Sequence, residues 1–311
     1  MGKRLAAMAA TALALIVAAC ATPPSSAASD AGVITRETMN HGGLTRAYQV
    51  HDFSGGHKAP VIIVMHGGGG NSANAVMMTQ FDVIGRREHL IVVYPDGSAG
   101  PLVPGLETWN SGHCCAQAMR NKVDDIGFLS AVIDRMVAAG KADPARVYAT
   151  GMSNGGMESH RLGIELSDKI AAIAPVVGAL FGDEAPPKRA VPVLIINGAD
   201  DQIVPRAGGA LAPGGGIASG QADHALLPWQ AQGEYWARAG GCGALVTTAV
   251  PGASLTTYPG CRRGVEVLHY IVANNGHAWP GGMAGRAEAN QPTKDFNASE
   301  VIWAFFKRHK L

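Results

Sequence analysis

The sequence predicts an α/β domain, a mostly parallel central sheet with helices on both faces. Three observations predict it. Short β-branched apolar runs alternate along the chain with amphipathic stretches, the pattern of strands joined by crossover helices. One of these runs, Val147 to Ala149, leads into Gly151-Met152-Ser153-Asn154-Gly155 and then into a helical pattern, so a strand, a sharp turn and a helix follow one another. Apolar residues make up 47% of the 311 residues and charged ones 16%, enough material for a substantial core.

The first segment is a processing signal rather than part of the fold. Lys3-Arg4 form a basic start, Leu5 to Ala19 are apolar or small, and no acid appears before Asp30. That apolar stretch is shorter than the roughly 20 residues a spanning helix needs. Val17-Ala18-Ala19-Cys20 resembles a bacterial lipobox, in which Cys20 becomes the lipidated first residue; ordinary secretory cleavage nearby is the alternative. Residues 1–20 are thus expected to be a signal peptide with lipobox, 21–32 a Pro/Ser/Ala-rich tether, and 33–311 one catalytic domain. The expected location is outside the cytoplasm, either extracellular or attached to the outer membrane through the lipid.

Within the domain, Tyr48-Gln49-Val50 reads as an early edge strand. Val61 to Met65 is a buried strand by its β-branched run, and it ends in His66-Gly67-Gly68-Gly69-Gly70-Asn71. Residues 74–89 read as one helix, and Leu90 to Tyr94 as a strand stopped by Pro95-Asp96-Gly97. Residues 96–122 form a connection of a length that is usually functional when ordered. A helix over 124–139 follows, with acids in its first turn as the helix dipole prefers. Asp124-Asp125 therefore serve as caps, since neighbouring residues at a helix start diverge too far for paired acid and base work. Residues 170–177 and 191–196 are two further central strands, 206–227 a Gly- and Ala-rich surface insertion, 228–239 a helix, 265–273 a strand and 299–310 a terminal helix capped by Asn297 with Glu300.

A formal net charge of +1 and the lack of any long Lys/Arg run leave no electrostatic footprint for a nucleic acid. Of five cysteines, Cys20 belongs to the leader, and the even remainder in an oxidising compartment favours disulfides over metal. There is no Cys-x-x-Cys pair and no histidine pair at helical spacing, so no metal site is expected. Cys242 and Cys261 flank a polar, hairpin-like segment, Gly243 to Gly260, with little core of its own. A bridge between them should contribute about 3 kcal/mol on the chain-entropy model. Cys114 and Cys115 are then left either bonded to each other or reduced.

The turn around Ser153 carries the chemistry. Glycines two residues before and after a serine at a strand-to-helix turn let the backbone pass close to its neighbours and hold the hydroxyl clear. Asn154 begins the helix, so its backbone N–H and the positive helix end face the spot where an oxyanion forms. Such a serine asks for an acid and then a histidine further along the chain. Asn197 to Pro205, after the strand ending at Ile196, supplies Asp200 and Asp201; Asn274 to Gly282, after the strand near 265–273, supplies His277. Both loops fall at carboxyl ends of strands, where open α/β sheets place their sites. Trp109 and Trp279 lie in loops at the same edge, where they are candidates to wall an acyl pocket, with core packing as the alternative.

His66-Gly67-Gly68-Gly69, Trp109-Asn110, Cys114-Cys115, Val123 to Phe128, Gly151 to Gly156, Asp201 with Val204-Pro205, and Gly276 to Gly281 together resemble the secreted polyhydroxybutyrate depolymerase and feruloyl esterase family of α/β-hydrolases. The likeness covers nearly the whole chain after the tether. It implies the α/β-hydrolase fold, a Ser153, Asp201, His277 triad, and oxyanion donors from the backbone of Asn154 and Gly68. In that family the acid stands in a Gly-x-x-Asp-x-x-Val-Pro run, which Gly198, Asp201, Val204 and Pro205 satisfy and Asp200 does not. The implied activity is an exported serine carboxylic-ester hydrolase without metal or organic cofactor, first of all of the polyhydroxybutyrate depolymerase kind. Feruloyl or acetylxylan ester hydrolysis on plant polysaccharide is the alternative, and a silent substrate-binding lipoprotein with the same fold is the alternative of another class.

Overall fold

The computed structural model describes Gly2 and residues 32–99, 105–211, 222–285 and 291–311. Cys20, its leader and the tether lie outside the described residues, as does much of the insertion expected at 206–227. No helix among the described residues is long and apolar enough to cross a membrane.

A ten-stranded sheet runs through the molecule. In chain order its strands are β1 (Val33–His41), β2 (Leu44–Asp52), β3 (Ala59–Met65), β4 (Ile91–Pro95), β5 (Ala142–Met152), β6 (Ala172–Val176), β7 (Val193–Gly198), β8 (Val246–Val250), β9 (Ala253–Thr257) and β10 (Val267–Val272). Their spatial order is β1-β2-β4-β3-β5-β6-β7-β10-β9-β8. From β4 through β10 every pairing is parallel, and antiparallel strands close both sides.

The parallel strands are buried on both faces, which is why they read as continuous apolar runs rather than as alternating ones. Alternation instead sorts the residues between two cores. Val61, Ile63 and Met65 of β3 pack with Leu129, Val132 and Met136 of α4 (Asp125–Ala138), Leu162 of α5 (Asn154–Glu165) and Trp236 of α6 (Trp229–Gly240). Ile62 and Val64 face the other way, onto Ala75 of α1 (Ser72–Thr79), Phe81 and Ile84 of α2 (Phe81–Glu88), and Ile302, Phe305 and Phe306 of α7 (Ala298–Phe306). Each large side chain buried this way contributes on the order of 1.5–3 kcal/mol. A short helix α3 (Ala116–Arg120) sits in the long connection after β4.

Two expectations need correction. Residues 74–89 are two helices, because Thr79 turns its hydroxyl back onto the Ala75 carbonyl and Gln80 takes a left-handed conformation at φ 53°. The break swings Phe81 fully inward, edge-on to the Trp279 ring. Tyr48 to Val50 are not at the edge, since β1 pairs along the whole of β2 and covers it. The exposed, mostly polar face of β1 hides it from an apolar-run reading.

The remaining elements follow their local signals. Asp124 caps α4 by accepting from the Gly127 N–H, and Asn297 caps α7 by accepting from the Glu300 N–H. Asp125 does more than cap. It is fully buried, binds Arg46 at 2.6 Å and accepts from the Asn110 N–H at 2.7 Å, which ties β2 to the long connection.

Candidate active site

Three loops meet at the carboxyl ends of β5, β7 and β10. The first is the turn between β5 and α5. Gly151 lies in register with Met65 of β3 on one side and Pro175 of β6 on the other, so the turn is wedged between two strands. A Cβ on Gly151 would stand 2.5 Å from the Gly155 carbonyl oxygen, and one on Gly155 would stand 2.5 Å from that of His66 and 2.6 Å from that of Met65. No side chain fits there. Between them Ser153 is held at φ 57° and ψ −118°, a strained conformation that the surrounding backbone imposes. Its N–H donates to the Val176 carbonyl and its own carbonyl accepts from Met157 N–H.

The second loop follows β7 and carries the two acids. Asp201 is buried, and its Oδ1 accepts from the N–H groups of Ile203 (2.8 Å) and Val204 (3.0 Å). Its Oδ2 lies 2.9 Å from His277 Nδ1. Asp200 is exposed and takes part through its backbone, its N–H donating to the Asn275 carbonyl and its carbonyl accepting from Gln202 Nε2.

The third loop follows β10 and brings His277, whose Nε2 lies 2.8 Å from Ser153 Oγ. With an acid on Nδ1, the ring carries its proton there and leaves Nε2 to accept from the serine hydroxyl. Asn275, to which the motifs give no role, and Gly198, the glycine of the acid's motif run, hold this loop. Asn275 is fully buried, donates from Nδ2 to the carbonyls of Gly276 and Ala278, and accepts from the Thr293 N–H. Gly198, at the end of β7, has the Asn275 and Gly276 carbonyls where a Cβ would stand, so the histidine and aspartate loops can close on each other.

Opposite the serine runs the strap His66 to Asn71 after β3. A Cβ built on Gly67 would stand 3.6 Å from Ser153 Cβ, which sets the strap directly beside the nucleophile. The strap is pinned by paired backbone bonds with Glu107, Gly69 N–H to Glu107 O at 2.8 Å and Glu107 N–H to Gly70 O at 3.1 Å. His66 locks its start, donating from Nδ1 to the Gly67 carbonyl at 2.8 Å and accepting on Nε2 from the Gly97 N–H at 3.0 Å. Burial pushes this imidazole down to about 4, so it stays neutral. Asn154, as the first residue of α5, has no intrahelical partner for its N–H. Its side chain also holds the long connection in place. Oδ1 accepts from the Trp109 N–H at 2.7 Å, and Nδ2 donates to the Trp109 carbonyl at 3.1 Å and to Ser111 Oγ at 2.8 Å.

Trp109 and Trp279, candidates to wall a pocket, do not. They are 0% and 1% exposed. Each indole N–H has found a buried acceptor, the His66 carbonyl for Trp109 and Ser299 Oγ for Trp279, which allows the whole ring to leave solvent. Both support the site from below. Cys114 bonds to Cys115, and this bridge packs with Met157, Phe181, Val204 and Trp229 in a third apolar cluster at the same end of the sheet. Cys242 bonds to Cys261 far from it, at the base of the β8–β9 hairpin.

A serine on a strained strand-to-helix turn, lined up through an imidazole with a buried carboxylate on a parallel sheet, is the arrangement of the serine-type α/β-hydrolases. No protein-family model matches the chain. Feruloyl esterase B of Piromyces equi is 30% identical over 240 residues, 75% of this chain and 42% of that protein. "Putative esterase NocK" of Nocardia uniformis subsp. tsuyamanensis is 30% identical over 269 residues, 82% of this chain and 76% of that protein. The bifunctional acetylxylan esterase/xylanase XynS20E of Neocallimastix patriciarum is 25% identical over 222 residues, 71% of this chain and 29% of that protein. Among solved structures, an acetyl xylan esterase from Aspergillus awamori shares the fold with a TM-score of 0.59 at 14% identity, over 79% of this chain and 94% of that one. The chain belongs to this esterase family, the carboxylic-ester hydrolases of the α/β-hydrolase fold. It spans less than half of the feruloyl esterase and of the bifunctional enzyme.

Proposed function

We propose that the protein is an exported serine esterase that removes acyl groups, hydroxycinnamoyl or acetyl, from plant polysaccharide. The observation that carries the reading is the line from Asp201 through His277 to Ser153, with steps of 2.9 and 2.8 Å. Ser153 Oγ attacks the ester carbonyl while His277 Nε2 takes its proton, and Asp201 holds the tautomer and stabilises the imidazolium. The N–H groups of Asn154 and Gly68 receive the tetrahedral oxyanion, each such donor being worth about 3 kcal/mol in comparable enzymes. His277 then returns its proton to the departing alkoxide, and a water, deprotonated by the same imidazole, releases the acid from Ser153.

The choice of acyl donor rests on the relatives, two of which carry feruloyl or acetylxylan esterase in their names. Polyester of the polyhydroxybutyrate kind, the first choice on motifs alone, is supported by the motif resemblance only. A side-by-side assay on methyl ferulate, acetylated xylan and polyhydroxybutyrate film decides, with Ser153→Ala as the blank. Turnover confined to the polyester would overturn the polysaccharide reading. No Ser153-dependent turnover of these or of a short p-nitrophenyl ester would leave a binding protein. The lipid anchor at Cys20 is part of the proposal, supported by the lipobox pattern, and unchanged processing and membrane fractionation in Cys20→Ser would make the protein simply secreted.

A further inference from the structure

His113, Asp183, Asp223 and His224 come from three separate stretches of chain and meet beside the Cys114–Cys115 bridge. His113 Nδ1 lies 2.7 Å from Asp223 Oδ1, and its Nε2 lies 2.8 Å from Asp183 Oδ2. His224 Nδ1 stands 3.6 Å from the same Asp223 Oδ1, and the two imidazoles stack with centroids 3.8 Å apart. One ligand atom from each of His113, Asp223 and His224 falls within 4.8 Å of the other two. The backbone fixes the approach, since Asp223 N–H donates to the His113 carbonyl at 3.0 Å.

We propose that His113, Asp223 and His224 bind a zinc-type divalent ion, with Asp183 as the outer carboxylate that orients His113. Two imidazole nitrogens and one carboxylate oxygen suit zinc and its first-row neighbours, whereas calcium and magnesium want oxygen ligands throughout. Each ring nitrogen of His113 faces a carboxylate oxygen, Nδ1 that of Asp223 and Nε2 that of Asp183, so an ion entering at Nδ1 takes the place of the proton shared with Asp223 and leaves Nε2–H donating to Asp183. Metal-binding histidines are regularly held in this way by a carboxylate on the far nitrogen. The two rings stack rather than converge, so His224 must swing its half-exposed side chain to aim a nitrogen at the ion that His113 holds. Closing on an ion with bonds of about 2.0–2.1 Å needs Nδ1 and Oδ1 to part to about 3.3 Å across a tetrahedral centre. Asp223 and His224 can make that shift, because their side chains are 61% and 52% exposed. Water fills the fourth position.

The ion is a clasp rather than a reactant. It joins the loop before the vicinal cysteines, the segment after β6 that carries Asp183, and the approach to α6. Spacing along the sequence hides it, since the donors are scattered and only His113 and Asp223 of the set are bonded through backbone as well as side chain.

The test is zinc chloride titrated calorimetrically into the chelator-stripped full-length protein at pH 7.5, with calcium chloride as the control. One zinc per chain and no comparable calcium heat are expected. His224→Ala, a change at an exposed side chain, should weaken zinc at least tenfold, as should Asp223→Asn; Asp183→Asn should weaken it about 10–100-fold, the usual range for an outer carboxylate. Zinc should also raise the melting temperature of the parent and not of His224→Ala. No saturable zinc binding, equal binding of calcium, or unchanged zinc affinity in His224→Ala and Asp223→Asn would each overturn the proposal. Ester hydrolysis is not the readout, so the outcome is independent of the esterase reading.

Discussion

At the β5–α5 turn, backbone carbonyls of β3 and of the strap close in on positions where no Cβ fits, whereas at the far side of the sheet the β8–β9 hairpin has one exposed strand and a single covalent staple, Cys242–Cys261. The turn is over-determined by packing from both sides. Beyond that staple the hairpin is held by its pairing along β10 and by Ala253 against the second core. The difference teaches where this fold spends its precision: a strained serine persists only where its surroundings forbid relaxation, while an edge needs no more than to stay attached.

The largest expected effect lies in the acid of the candidate triad. Asp201→Asn should lower kcat on the order of ten-thousandfold with circular dichroism unchanged, because the imidazole loses the partner that sets its tautomer. Asp200→Asn, at a side chain in solvent, should stay within a few-fold of the parent. Equal losses from the two would mean that they act as a coupled pair.

Next comes the packing of the turn itself. Gly155→Ala puts a methyl 2.5 Å from the His66 carbonyl and 2.6 Å from that of Met65, so strap and serine must move apart. Overpacking of this kind costs about 1–3 kcal/mol, and a serine displaced by about an ångström loses on the order of a hundredfold in rate. Melting temperature and turnover should fall together. A variant that kept full turnover would show the turn to be softer than its contacts imply.

The hairpin should behave in the opposite sense. Replacing Cys242 and Cys261 by serine should lower stability by about 3 kcal/mol in urea unfolding and leave kcat on a p-nitrophenyl ester unchanged within about twofold. A large fall in kcat with the fold intact would mean that edge and turn are coupled.

Acid should act on the centre before the edge. His66, His160 and His269 are fully buried and are pushed by burial down to about 4, 3 and 4. Each stays neutral in the folded protein but takes up a proton near pH 6.5 once unfolded. The unfolded chain therefore binds more protons below that pH, and stability is full above about 6.5 and falls as pH drops toward 4. Urea midpoints measured from pH 7 to 4 should decline over this window, and His269→Gln should make the decline shallower. A flat profile would mean that these rings are hydrated in solution.

Much of the site was legible because it depends on neighbours in sequence. The glycines flanking Ser153, the acid and histidine loops at strand ends, and the caps at Asp124 and Asn297 are all local rules. The same reasoning left Trp109 and Trp279 undecided between pocket wall and core, since a loop tryptophan reads alike whether its N–H meets water or, as here, a carbonyl or hydroxyl from a distant element. It also passed over Asn275 and the side-chain bonds of Asn154, because nothing in their own surroundings shows what their amides hold.

The chain by itself determined the order of strands and helices, the two-faced burial of the parallel strands and the order of serine, acid and histidine along the sequence, because apolar period, glycine spacing and helix caps act over a few residues. The motif run already singled out Asp201, but only the tertiary structure brought it to His277, decided which faces the tryptophans turn to, and set His113, Asp183, Asp223 and His224 in one corner. His277 lies 76 residues from Asp201 and 124 from Ser153, and meetings at such distances are set by the register of β5, β7 and β10 rather than by any pattern along the chain.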